Sequence, residues 1–150
     1  MAYRYRRKID PDSESDAFKY ASRLFKYRMR SEAEMKKRLL ERGFSEECVQ
    51  RVIEKLKEKG FVDDEKFSYL FAYDELTLRN HGPRIIKSKL KALGVNEEII
   101  EKSLKRVLEE VDLEDIIKKL LKKVSENPRE YLFRKGFDPG ILNEIDYGGE

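Results

Sequence analysis

Four helically patterned stretches of this chain stop in the same way, on a glycine followed by an apolar residue: Gly43-Phe44, Gly60-Phe61, Gly94-Val95 and Gly136-Phe137. Glycine takes the left-handed conformation that ends a helix without a side-chain clash, and the apolar residue after it folds back on the last turn. Three of the stops sit inside a longer pattern. Met35-x3-Leu39-x3-Gly43-Phe44-Ser45-Glu46-Glu47 is echoed by Ile86-x3-Leu90-x3-Gly94-Val95-Asn96-Glu97-Glu98, and in shortened form by Leu132-x3-Gly136-Phe137-Asp138-Pro139. The three glycines lie 51 and then 42 residues apart, a period typical of stacked helical repeats. Each repeat reads as a long helix, a short helix closed by glycine, and a third helix.

The residues between the stops agree. Ala17, Tyr20, Ala21 and Leu24 recur at helical spacing, as do Val49, Val52, Ile53 and Leu56, then Ile100, Leu104, Val107 and Val111. Ser31 with Glu34 predicts a capping box, and Ser45, Asn96, Asp112 and Asp138 stand where N-caps belong. No sustained apolar/polar alternation competes. The expected fold is all-α: three tandem three-helix repeats, elongated and curved, because a tandem array buries its core between neighbours. A basic N-terminal arm is expected over 1–15, with repeats over 16–60 and 61–109 and a shortened one over 110–150.

Composition narrows the function. Charged residues make up 42% of the chain and apolar ones 39%, and no uncharged stretch approaches the ~20 residues of a membrane span. The N-terminus lacks the apolar segment of a secretory signal. Cys48 is the only cysteine, which points to a reducing cytoplasm. One His and one Cys leave almost nothing for a zinc site or a Cys–His nucleophile, and no phosphate loop, dinucleotide glycine pattern or nucleophile elbow occurs. No cofactor, no metal and no catalytic residue is expected.

Charge is unevenly spread. Residues 16–60 carry thirteen basic and eight acidic groups, whereas 110–150 carry seven and ten. Lys19, Arg23, Lys26 and Arg30 fall at i, i+4, i+7 and i+11, with no acid from 17 to 31, and read as a solvent-facing cationic row on the first helix. Arg84, Lys87 and Lys91 form a second row, with no acid between 76 and 96. Glu98–Lys102, Glu101–Lys105, Glu114–Lys118 and Asp115–Lys119 are spaced as ordinary i, i+4 ion pairs. Arg4, Arg6 and Arg7, interleaved with Tyr3 and Tyr5, make an arm able to stack on bases and track phosphates. Asp63-Asp64-Glu65 resembles a metal cluster but is better explained as helix-start acids. Phe67, Leu70, Phe71 and Tyr73 make their helix apolar nearly all round and predict the central buried helix, not a cofactor box, and His81 reads as an exposed turn residue with no obvious orienting acid.

The chain also resembles a known family, the RecX regulatory proteins that modulate the RecA recombinase. The resemblance rests on Arg30-Ser31-Glu32-Ala33-Glu34-Met35 with Leu39 and Gly43-Phe44. It continues in Gly60-Phe61-Val62-Asp63-Asp64-Glu65-Lys66-Phe67, Gly82-Pro83-Arg84-Ile85-Ile86 and Leu132-x-Arg134-Lys135-Gly136-Phe137. The chain departs from the family at Leu78-Arg79-Asn80-His81, where more basic residues are expected, and in its short third unit. The resemblance implies a non-enzymatic protein that binds the RecA–DNA filament and limits RecA's ATPase, strand-exchange and coprotease activities, with weak single- or double-stranded DNA binding of its own. Arg79 joins the two rows and the arm as an expected partner-facing residue. A stand-alone helical DNA-binding module is the alternative, and a nuclease centred on Asp63 and Asp64 a third.

Overall fold

The computed structural model describes residues 9–124 and 126–145, and every regular element among them is helical. The chain divides into two compact units that meet in sequence between Asp64 and Glu65.

The first unit holds α1 (Glu14–Tyr27), α2 (Glu32–Arg42) and α3 (Glu46–Glu58). Each begins on a serine, Ser13, Ser31 or Ser45, whose hydroxyl accepts an amide of the first turn, and Glu34 completes the capping box by accepting the Ser31 amide. Such caps are each worth about 1 kcal/mol. Ala17 and Ala21 leave α1 smooth enough for close approach. Against it pack Met35 and Leu39 of α2 and Cys48, Val49, Val52, Ile53 and Leu56 of α3, with Phe44 and Val62 closing the core. Cys48 is fully buried, and burial pushes its thiol pKa up.

The second unit contains the body of α4 (Asp64–Thr77), then α5 (Pro83–Ala92), α6 (Glu97–Glu110), α7 (Leu113–Leu121), α8 (Pro128–Arg134) and a 3-10 turn over Pro139–Asn143. Asn96, Asp112 and Asp138 each cap the element that follows.

The glycine stops form as the sequence requires. Gly43, Gly60, Gly94 and Gly136 all have positive φ. At each, the next amide returns to the carbonyl of a buried leucine five residues back: Phe44 to Leu39, Phe61 to Leu56, Val95 to Leu90 and Phe137 to Leu132, at 2.8–3.2 Å. Gly43, Gly94 and Gly136 close α2, α5 and α8, three helices apart each time. Gly60 departs in one respect. Phe61 is half exposed, its ring meeting Phe25, and Val62 takes the buried place.

The expectation for α4 needs correcting. Phe67, Ser68, Ala72, Glu75 and Leu76 are buried, while Leu70 and Tyr73 are exposed. Apolar residues spread around a helix carry no signal for which face turns inward, and the face that does so includes two polar residues, Ser68 and Glu75.

Within the second unit the start of α5 is clamped to the end of α8. Gly82 donates its amide to the Lys135 carbonyl at 2.6 Å, and Arg84 donates to the Gly136 carbonyl at 3.1 Å. A Cβ on Gly82 would stand 2.4 Å from the Gly136 carbonyl carbon. Here glycine is required by space rather than by φ.

Candidate functional site

Three of the four expected cations of the first row lie together. Lys19, Arg23 and Lys26 are exposed on α1, and none forms an ion pair among the described residues. The acids of that helix, Glu14 and Asp16, sit in its first turn. Glu14 is occupied by Lys55 at 2.9 Å and Arg51 at 3.5 Å, and the Lys55 hydrogen bond leads in holding its carboxyl below the usual range. Tyr27 follows Lys26 at the helix end and is 90% exposed. The face therefore joins uncompensated cations to a solvent-facing aromatic ring.

Arg30 does not extend this row. The helix ends at Tyr27 and Arg28 is extended (φ −165°), so helical spacing no longer places residue 30. Its side chain turns inward to 7% exposure. The guanidinium reaches Glu34 only at 3.8 Å, and its Nε finds no hydrogen-bond partner. Burial, with Arg28 and Arg38 nearby, pushes its pKa down against the pull of Glu34. Glu34 is meanwhile gripped by Arg28 and by its own cap.

The second row is compensated, contrary to the reading of α5 alone. Lys87 lies 3.7 Å from both Glu97 and Glu101, and Lys91 lies 3.3 Å from Glu97. The acids arrive from α6, which packs alongside, so distance in sequence concealed them. Glu101 thus faces Lys87 rather than Lys105. The α7 pairs Glu114–Lys118 and Asp115–Lys119 form as expected, at 2.8 and 2.9 Å. Arg84 remains outside any ion pair among the described residues; its guanidinium lies 4.5 Å from the Phe133 ring centroid and donates to the Phe133 carbonyl. Arg79 is exposed and 3.5 Å from Glu75. Arg4, Arg6 and Arg7 lie outside the described residues.

Periodicity gave no hint of a charge cluster around Glu75. This carboxylate is buried, yet it takes Nδ1 of His81 at 2.6 Å and Nζ of Lys89 at 2.9 Å. Burial pushes the Glu75 pKa up, but the two hydrogen bonds and the adjacent positive charge outweigh it and hold the group below its ordinary value. His81 is therefore half-buried and oriented by an acid, not a free turn residue. Glu75 falls between the buried Ala72 and Leu76 on the inward face of α4, which is what sets it apart from the other acids of that helix.

The acids at the start of α4 serve the fold. Asp64 Oδ1 accepts the Glu32 amide at 2.8 Å, and Lys57 pairs with Glu32 beside it. Burial raises the Asp64 pKa although that hydrogen bond opposes it. No group of three or more His, Cys, Asp or Glu able to hold a metal exists among the described residues. No helix there is long and apolar enough to cross a membrane.

The fold and its surfaces define a class: an all-helical protein of glycine-closed three-helix domains that displays charged helix faces. The first three-helix domain of RecX matches residues 17–56 and the second matches 63–104. The chain belongs to the RecX family of regulatory proteins. Curated relatives called regulatory protein RecX include one from Thermotoga petrophila, 47% identical over 87% of this chain and 85% of its own length. The Thermotoga maritima protein is 48% identical with the same coverage. A crystal structure of RecX from Lactobacillus salivarius has the same fold, with a TM-score of 0.80 at 19% identity, covering 89% of this chain and 94% of that one.

Proposed function

We propose that this chain binds the RecA–DNA filament and inhibits RecA's recombinase, ATPase and coprotease activities, acting by binding and not by catalysis in the bacterial cytoplasm. Membership of the RecX family supports the RecA partner. The observation that carries the rest is the α1 face, where Lys19, Arg23 and Lys26 stand without counter-charges beside the exposed ring of Tyr27. Unpaired cations repel one another at some cost to stability, so a face that keeps them suits an anionic partner. In this proposal α1 makes the main anionic contact, and Arg79 and Arg84 of the second unit make separate, lesser ones. Lys87 and Lys91 contribute less because Glu97 and Glu101 already neutralise them. Repeats over 16–60, 61–109 and 110–150 supply the scaffold.

The same face favours a second reading, a DNA-binding module that needs no RecA, because cations beside an exposed aromatic suit a single strand. Co-sedimentation with RecA separates the two. Binding to RecA without DNA, strengthened on the filament, is expected. Retention only when DNA is present, at the level of DNA alone, would favour the second reading.

A further inference from the structure

A groove in the second unit surrounds Arg84, one of the cations assigned above to partner contact. Pro83, Arg84, Phe133, Phe137 and Pro139 line about 390 Å³ of it, a volume in the range of specific binding pockets. Phe137 is buried, whereas Phe133 is 53% exposed. The walls are held by the Gly82–Lys135 and Arg84–Gly136 backbone bonds, so little ordering is left for a ligand to impose.

The charges at the rim are discrete and of both signs. Arg84 spends one N–H on the Phe133 carbonyl and pairs with no carboxylate among the described residues, unlike Lys87 and Lys91 of the same helix. A guanidinium offers five donors in a planar fork suited to a carboxylate. Asp138 also lines the groove, its Oδ1 accepting the Gly140 amide. That carboxylate repels any run of anions, phosphates and carboxylates alike, so the groove suits a single carboxylate at Arg84, while the apolar lining suits an aliphatic or aromatic side chain.

We propose that this groove binds a peptide segment of a protein partner, with one apolar or aromatic side chain among Pro83, Phe133 and Pro139 and a single neighbouring carboxylate on Arg84. The proposal rests on the reading that the chain acts by binding another protein, and it adds the chemistry of the segment recognised.

The test uses the full chain and a fluorescein-labelled hexapeptide carrying one phenylalanine beside one glutamate among serines and glycines, read by anisotropy. Saturable binding is expected. Arg84→Gln and Phe133→Ser should each weaken it at least about tenfold, in line with loss of a charge-assisted contact or an apolar anchor. Lys91→Gln should change it less than about twofold, since its charge is already paired with Glu97. Arg84→Glu should transfer preference to a lysine-flanked peptide, an outcome that a misfolded variant does not produce. No saturation at millimolar peptide, unchanged affinity in both groove variants, or equal dependence of oligothymidylate binding on Arg84 would overturn the proposal. Peptide binding that depends on Arg84, in a chain that leaves RecA untouched, would support the groove and remove the RecA reading.

Discussion

The carboxylate of Asp64 accepts the backbone N–H of Glu32 at 2.8 Å, so the first residue of α4 caps the first turn of α2. The first amides of a helix have no partner within it, and here a residue 32 positions away supplies one. Asp64 of the Asp63-Asp64-Glu65 run is therefore a structural cap. Asp64→Ala is expected to cost about 1 kcal/mol in urea unfolding, and Asp64→Asn less, since the amide oxygen still accepts. Magnesium or manganese should leave both midpoints unchanged.

Two glycines should respond differently to the same substitution. Gly43 has φ +112° and nothing within 4 Å of an added Cβ, so Gly43→Ala meets only backbone strain, about 1–2 kcal/mol. Gly82 has ordinary φ, but its Cβ would meet the Gly136 backbone at 2.4 Å. Neither segment can yield without breaking the Gly82–Lys135 and Arg84–Gly136 bonds that join them. Gly82→Ala should therefore lower the thermal midpoint more than Gly43→Ala, and equal midpoints would deny the close approach.

What the sequence made legible was local. Caps and glycine stops act within one turn, so Ser31, Ser45, Gly43 and Gly94 could be placed from spacing alone, and the stripe residues Leu39 and Leu90 are fully buried as their register required. Charge pairing across helices was not legible. The partners of Lys87 come from α6, and those of Glu75 from the following turn and from α5. Arg30 was misplaced because a helical spacing was carried past Tyr27, where the helix ends. On α1, whose flanks offer the row no acid, the reading of Lys19, Arg23 and Lys26 as exposed cations agrees with their surroundings.

Glu75 should set part of the acid limb of the stability profile. Its folded pKa is depressed, so its contribution is present above the unfolded carboxylate value near 4.3 and is lost as pH falls through the lower folded value. Glu75→Gln should cost about 1–3 kcal/mol at neutral pH, because His81 and Lys89 each lose a charged partner while keeping some access to water. The variant's stability should also fall less steeply than the parent's below pH 4. Parallel acid limbs in the two proteins would show that the cluster does not act in this way.

The α1 face bears the central claim, and RecA's single-stranded-DNA-dependent ATPase tests it most directly. The RecA should come from the same organism, and the parent chain should be compared with Arg23→Glu plus Lys26→Glu. Both side chains are exposed and unpaired among the described residues, so helicity and thermal midpoint should be nearly unchanged. The parent should inhibit, with potency falling as salt rises because exposed charges are screened beyond about 8 Å at physiological ionic strength. The variant should need at least about tenfold more protein for the same inhibition, the scale of losing a steered charge contact. A parent that leaves the ATPase untouched, or a folded variant that inhibits as well as the parent, would contradict the account.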